Sequence, residues 1–231
     1  MSKVLISSKA PFKIDTPYRL IETGEPGEKP LIVYLHGFNQ TIEEFQERTE
    51  KLLGLKAYHL FVQAPYPVYS RRNRVKKVEE WGRAWYWYDG EQAQFVKSLE
   101  LASQFVHDVM ESVLQQISVN RIAIFGYSMG GYLAGYFGLS RPEQLSELIV
   151  IGGRIKTEVF EEKSNNVEHL NVLALHGKKD ESVKSSPQKE SCEKLSQWNA
   201  SVTFKELNAG HDLDELYINE AKRWLAEMWD E

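Results

Sequence analysis

The stretch Gly126-Tyr127-Ser128-Met129-Gly130, with Gly131 behind it, sets a serine between small residues. An apolar run at 121–125 leads into it and a helix-like run at 132–139 leads out. In a strand–turn–helix context this spacing has a mechanical reason. The turn is sharp, the small residues let strand and helix approach closely, and the hydroxyl is lifted above the sheet with a helix N-terminus beside it. The chemistry such a serine can do is nucleophilic attack on a carbonyl. The plainer alternative is a glycine-rich turn with an incidental serine, and the flanking elements weigh against it.

A serine hydroxyl is a poor nucleophile until a base takes its proton, so a histidine is required. Six are present. His59 falls inside an apolar run and His107 inside a helical one, where packed or surface roles are expected. His36 and His176 follow apolar runs in His-Gly pairs and suit a supporting position. The acid and the base that accompany an elbow of this kind follow the serine in the order acid, then histidine. That leaves His169, His176 and His211. His169 precedes its strand and belongs at the wrong end of a sheet, whereas His211 lies in Asn208-Ala209-Gly210-His211, in a loop between the last strand and the last helix. His211 is the expected base. Between serine and base, Leu175-His176-Gly177-Lys178-Lys179-Asp180 closes an apolar run with a turn and a carboxylate. Asp180 is the expected acid, with Glu181 its neighbouring competitor; Asp212 and Asp214 read as helix caps. The acid's role is to hold the imidazole in one tautomer and to stabilise it when charged.

An acyl-transfer intermediate also needs N–H donors for its oxyanion. One is expected from Met129, next to the serine, and one from Phe38 in His36-Gly37-Phe38-Asn39, which follows the apolar run 31–35.

The elements that must position these residues are legible as alternating patterns. Runs at 31–35, 58–62, 121–125, 148–151, 172–175 and 202–205 read as strands, several of them apolar throughout, as strands covered on both faces are. In 91–117, Phe95, Leu99, Ala102, Val106, Val109, Val113 and Ile117 recur every three or four residues, one face of a helix. Thr41 with Glu44 is a capping-box signature. Asp212 with Glu215 heads a final helix whose inner face is expected to carry Leu216, Trp224, Leu225 and Met228. Strand–helix alternation implies a parallel sheet with helical crossovers, and 11–22 is expected to add one or two antiparallel edge strands.

Length and composition bound the rest. At 231 residues, 42% hydrophobic and 26% charged, one globular domain spanning 1–231 is expected. A net charge of −5 argues against a nucleic-acid partner. The single Cys192 has no disulfide partner in the chain. No apolar run approaches the ~20 residues that span a bilayer, so a soluble, cytoplasmic protein is expected.

The motifs LHGFN at 35–39, AWYWYDG at 84–90, FGYSMGG at 125–131, LHGKKDESV at 175–183 and NAGH at 208–211 resemble those of the phospholipase/carboxylesterase family of α/β-hydrolases, which includes the acyl-protein thioesterases. The chain departs from the family pattern at Asn39-Gln40, where Gly-Asp is usual, at Met129, where Gln is, and at Lys184, where Pro is. The resemblance implies the α/β-hydrolase fold: a mostly parallel central sheet, helices on both faces and no large lid domain. It also implies a serine carboxylic-ester hydrolase that needs no metal or cofactor and acts on small-molecule esters; a small enzyme with a pocket bounded by a few rings is further expected to prefer short to medium acyl chains. Thioesterase and lysophospholipase activities are the neighbouring alternatives, and a catalytically silent binding protein is the alternative from another class.

Residues 65–90 break the strand–helix rhythm, and a connection of that length is usually functional or mobile. Trp85, Tyr86 and Trp87 within it are expected to include at least one ring that lines the acyl side of the site, with anchoring of the loop as the competing role, and different rings can take different roles. Before them Arg71, Arg72, Arg74, Lys76 and Lys77 form a basic cluster, by default a solvated loop and otherwise a rim for anionic groups.

Overall fold

The apolar runs pair into one sheet. In the computed structural model, which describes residues 4–8, 10, 13–69, 76–161 and 166–229, the strands are β1 (Tyr18–Glu22), β2 (Lys29–Leu35), β3 (Tyr58–Val62), β4 (Tyr66–Pro67), β5 (Arg83–Ala84), β6 (Val119–Tyr127), β7 (Glu147–Ile151), β8 (Asn171–Gly177) and β9 (Ser201–Leu207). Seven of them form the sheet in the order β1-β3-β2-β6-β7-β8-β9. Only β1 runs antiparallel, against β3, so the edge strand expected from 11–22 occupies its C-terminal half. The other pairs are parallel.

Alternate residues of the inner strands serve two cores. Leu31, Val33 and Leu35 of β2 face α2 (Gln92–Leu114), α3 (Met129–Ser140) and α4 (Ser185–Gln197), through Phe95, Leu99, Val106, Leu133, Phe137 and Leu195. Ile32 and Tyr34 face α1 (Ile42–Arg48) and α5 (Glu215–Trp229), through Phe45, Tyr217, Ala221 and Leu225. Both sheet faces are thus dry, which is why these strands are apolar without alternation. Each such side chain contributes roughly 1.5–3 kcal/mol over an exposed one.

Thr41 caps α1 as expected, its hydroxyl taking the Glu44 N–H while Glu44 takes the Thr41 N–H. Two expectations for α5 need correction. Asp214, not Asp212, takes a first-turn N–H, that of Leu216 at 3.0 Å. Leu216 is exposed, and Tyr217, Ile218 and Ala221 join Trp224 and Leu225 on the buried face. Leu216 lies nine residues before Leu225, and at about 100° per residue that spacing sets the two on opposite sides of the helix, so burying Leu225 turns Leu216 out.

Register explains how distant segments meet. Leu35 is level with Gly126, Tyr127 with Ile151, and Ile151 with Leu175, while Gly177 is level with Leu207. Val62 is level with Leu35 as well, so the chain leaves β2, β3, β6, β7, β8 and β9 at one edge of the sheet, and every loop named as a site candidate emerges there. The segment at 65–90 holds the antiparallel pair β4–β5. Arg83 also bridges to Gln40, which ties this loop to the one after β2. Of the basic cluster, Arg71, Arg72 and Arg74 lie outside the described residues.

Candidate active site

Ser128 stands between β6 and α3 with φ 52° and ψ −115°, a backbone conformation few non-glycine residues adopt. Its neighbours make the turn possible. A side chain on Gly126 would collide with the Gly130 carbonyl, and one on Gly130 with the backbone of Leu35 and His36. The Ser128 N–H is given to the Ile151 carbonyl at 2.8 Å, which pins the turn to β7. The strain is held by the packing around it.

Ser128 Oγ lies 2.9 Å from His211 Nε2, and His211 Nδ1 lies 2.7 Å from Asp180 Oδ2. With its Nδ1–H given to the carboxylate, the ring keeps Nε2 as an acceptor for the serine hydroxyl. Asp180 is wholly buried at its side chain. Burial works to raise its carboxyl, but N–H donation from Val183, the His211 ring and the Ser182 N–H outweighs it and holds the group below the usual carboxylate value. Glu181 is exposed beside it. The three sequence-expected residues are therefore brought into one line, from β6, the loop after β8 and the loop after β9.

The loop after β2 lies against this line. The His36 Nδ1–H donates to the Gly37 carbonyl at 2.7 Å, and Nε2 accepts the Ala64 N–H at 3.1 Å. Burial lowers this imidazole to about 4, so it stays neutral near pH 7 and can accept those donors. The Gly37 N–H goes to Gln40 Oε1 at 2.7 Å, and a Cβ on Gly37 would press on the Tyr127 ring at 2.9 Å. Asn39, with φ 60°, gives its N–H to Arg83 O. Neither the Phe38 nor the Met129 N–H has a protein acceptor among the described residues. Both are the donors expected from sequence.

The aromatic trio separates. Trp85 is fully buried and gives Nε1–H to the His36 carbonyl at 2.8 Å, so it anchors the loop after β2 and presents no face to a ligand. Of the three rings, Trp85 takes the anchoring role: an indole with a buried partner for its N–H is more stable inside. Tyr86 is almost as deeply buried, its hydroxyl on Met129 O at 3.2 Å. Trp87 is half exposed and packs on Tyr66.

Sequence reasoning missed two phenols. Tyr127 gives its O–H to the His211 carbonyl at 3.0 Å, and Tyr217 of α5 gives its own to Gly210 O at 2.6 Å. The loop that carries His211 is thereby gripped from two elements. Of the histidines set aside, His59 bonds Tyr34 and Thr23, His107 bonds Gln144, and His169 bonds Pro142 O. His176 lies buried behind Asp180 with Nε2–H on Val183 O.

A mostly parallel sheet with helices on both faces, and a serine on a strained strand-to-helix turn at the C-terminal end of a central strand, define an α/β-hydrolase. Residues 16–229 match the model of the phospholipase/carboxylesterase family. The chain belongs to that family and is a serine-esterase type of hydrolase. Lysophospholipase-like protein 1 of Mus musculus is 22% identical over 204 residues, 84% of each chain. The crystal structure of esterase PE8 superposes at a TM-score of 0.77 with 19% identity, over 93% of this chain and 99% of that one. The Bacillus cereus carboxylesterase superposes at 0.73 with 18% identity, over 93% and 95%. No helix among the described residues is long and apolar enough to cross a membrane.

Proposed function

We propose that residues 1–231 form one α/β-hydrolase domain that cleaves carboxylic esters of short to medium acyl chains through a Ser128–His211–Asp180 triad. The observation that carries the reading is the continuous hydrogen-bonded line from Ser128 Oγ through both nitrogens of His211 to the buried Asp180. Ser128 Oγ attacks the ester carbonyl as its proton passes to His211 Nε2. The imidazolium so formed is stabilised by the Asp180 carboxylate, and the oxyanion is held by the N–H groups of Met129 and Phe38. Collapse breaks the C–O bond, and His211 returns the proton to the leaving alcohol. Water then attacks the acyl-serine with His211 again as base, releasing the acid and restoring Ser128.

The test is Ser128→Ala. The folded variant is expected to lose on the order of 10⁶ in turnover, because the members of such a triad act as a unit, and to lose covalent labelling by a fluorophosphonate. A variant that keeps even a tenth of the wild-type rate overturns the assignment, and a wild type that is neither labelled nor active on any ester indicates a binding protein. The same panel, extended to acyl thioesters and lysophospholipids, ranks the neighbouring activities, which this machinery supports equally well.

A further inference from the structure

At the end of β7 the chain leaves the sheet through Gly152 and Gly153 and then sets out two cations, Arg154 and Lys156. Both glycines sit against the proposed triad. A Cβ on Gly152 would lie 3.5 Å from the His211 ring and 3.7 Å from Asp180 Oδ2, and one on Gly153 would lie 3.0 Å from the Ser128 carbonyl oxygen. Arg154 is therefore one residue from backbone in contact with Ser128. Tyr132, one turn along α3, reports the same proximity. Burial raises its phenol, the Arg154 guanidinium opposes that rise, and the Asp180 and Glu158 carboxylates add to it, so the Arg154 charge and the triad acid act on one hydroxyl. Lys156 is buried, gives an N–H to Gln92 Oε1 at 3.0 Å, and lies 5.3 Å over the Phe95 ring, which packs on Tyr132.

The two cations share one direct ion-pair partner. A single carboxylate, Glu158, serves both cations, 3.1 Å from Arg154 Nη2 and 3.0 Å from Lys156 Nζ. A bridge that only fastened the segment would need one cation for its one carboxylate. Moreover, Arg154 engages Glu158 through Nη2 alone and its side chain stays 29% exposed, so it can be reached from solvent. A guanidinium binds carboxylates best through two parallel N–H bonds, and Glu158 takes only one nitrogen of this one.

We propose that Arg154, supported by Lys156, forms a carboxylate subsite beside Ser128, so that the preferred substrates are esters carrying a carboxylate a few bonds from the scissile carbonyl, such as monoesters of short dicarboxylic acids. The inference rests on the reading of Ser128 as nucleophile and names the substrate class of that site. The preference should weaken with salt, as attraction at a partly exposed cation does.

The experiment compares kcat/KM for ethyl hydrogen succinate, its neutral counterpart ethyl pentanoate, and the cationic ethyl ester of β-alanine. Wild type is expected to favour the succinate. In Arg154→Gln the succinate-to-pentanoate ratio is expected to fall about 10- to 100-fold, the range of one charge-assisted contact. Arg154→Lys should restore part of it, and Arg154→Glu should turn the preference toward the β-alanine ester. A merely structural arginine would lower all three substrates together and leave the ratio unmoved, and that result, or a wild type indifferent to charge, overturns the proposal. Calorimetric binding of ethyl hydrogen succinate to Ser128→Ala protein, with and without Arg154→Gln, reads the subsite without turnover. Should wild type cleave no ester, the esterase reading fails while this arm still decides the subsite: tenfold or more weaker binding in the double variant supports it, and equal or absent binding overturns it.

Discussion

With its side chain buried, Asp180 divides its two oxygens: Oδ2 takes the His211 Nδ1–H, and Oδ1 takes the N–H groups of Ser182 and Val183. Asp180→Asn keeps the shape but places an amide where only an acceptor suits, so the imidazole is driven toward the wrong tautomer. Turnover on a neutral ester is expected to fall by up to about 10⁴, while the exposed Glu181→Gln changes it far less; a reversed pair of effects in steady-state kinetics would move the acid to Glu181. Tyr127→Phe removes the hydroxyl that holds the His211 carbonyl. One such bond is worth about 0.5–1.5 kcal/mol, so kcat is expected to drop about three- to tenfold with KM nearly unchanged. A change confined to KM would assign the phenol to substrate instead. Ser128, Asp180 and His211 were legible because each sits at a strand end with a spacing that chemistry recognises. Tyr127, Tyr217 and Arg154 were not. Their contacts join segments far apart in the chain, and a phenol or a guanidinium carries no local pattern that announces its partner.

At the scale of elements, strands apolar on both faces and the long period of α2 made sheet and helices readable, and the ends of β2, β6, β8 and β9 extended beyond their apolar centres. The pair β4–β5 escaped because two residues carry no periodicity, and nothing local shows that Arg83 will bridge to Gln40. Composition alone also could not sort the aromatic trio, since buried and exposed indoles look alike in a sequence. Their environments now separate their effects. Trp85→Ala opens a cavity beneath the loop after β2 and removes the donor to His36 O, so a loss of about 3–5 kcal/mol is expected in chemical unfolding. Trp87→Ala is expected to leave stability within about 0.5 kcal/mol, as other exposed changes do, and to shift the preference of kcat/KM among neutral esters of graded chain length. If Trp87→Ala leaves that preference where it was, the ring belongs to the loop's surface packing with Tyr66 and the acyl group lies elsewhere.

For the molecule as a whole, the buried imidazoles of His36 and His59 set how it responds to acid. Each is a hub for uncharged hydrogen bonds, His36 beneath the Phe38 loop and His59 between Tyr34 and Thr23. Burial lowers both from 6.5 to about 4, which corresponds to on the order of 3 kcal/mol for each ring. Well above about pH 6.5 both rings are neutral in the folded and unfolded chain alike, and they add no pH dependence. Between about 6.5 and 4 the unfolded chain takes up protons that the folded rings refuse, so stability falls as pH falls and levels off below about 4. Asp180 and Glu158, held below the carboxylate range in the fold, add their losses only at the acid end of this window. Glu147 runs the other way: burial raises its carboxyl, so its proton uptake favours the fold and blunts the slope. Denaturant unfolding at about pH 7, 5.5 and 4.5 should therefore show a loss that begins near 6.5 and reaches several kcal/mol. In His59→Gln, which removes one titrating ring while keeping a side chain able to bond Tyr34, the loss over the same interval should shrink by about half. A wild-type stability that stays flat from pH 7 to 5 would mean that the folded rings accept protons as readily as the unfolded ones, and that their burial does not govern the acid response.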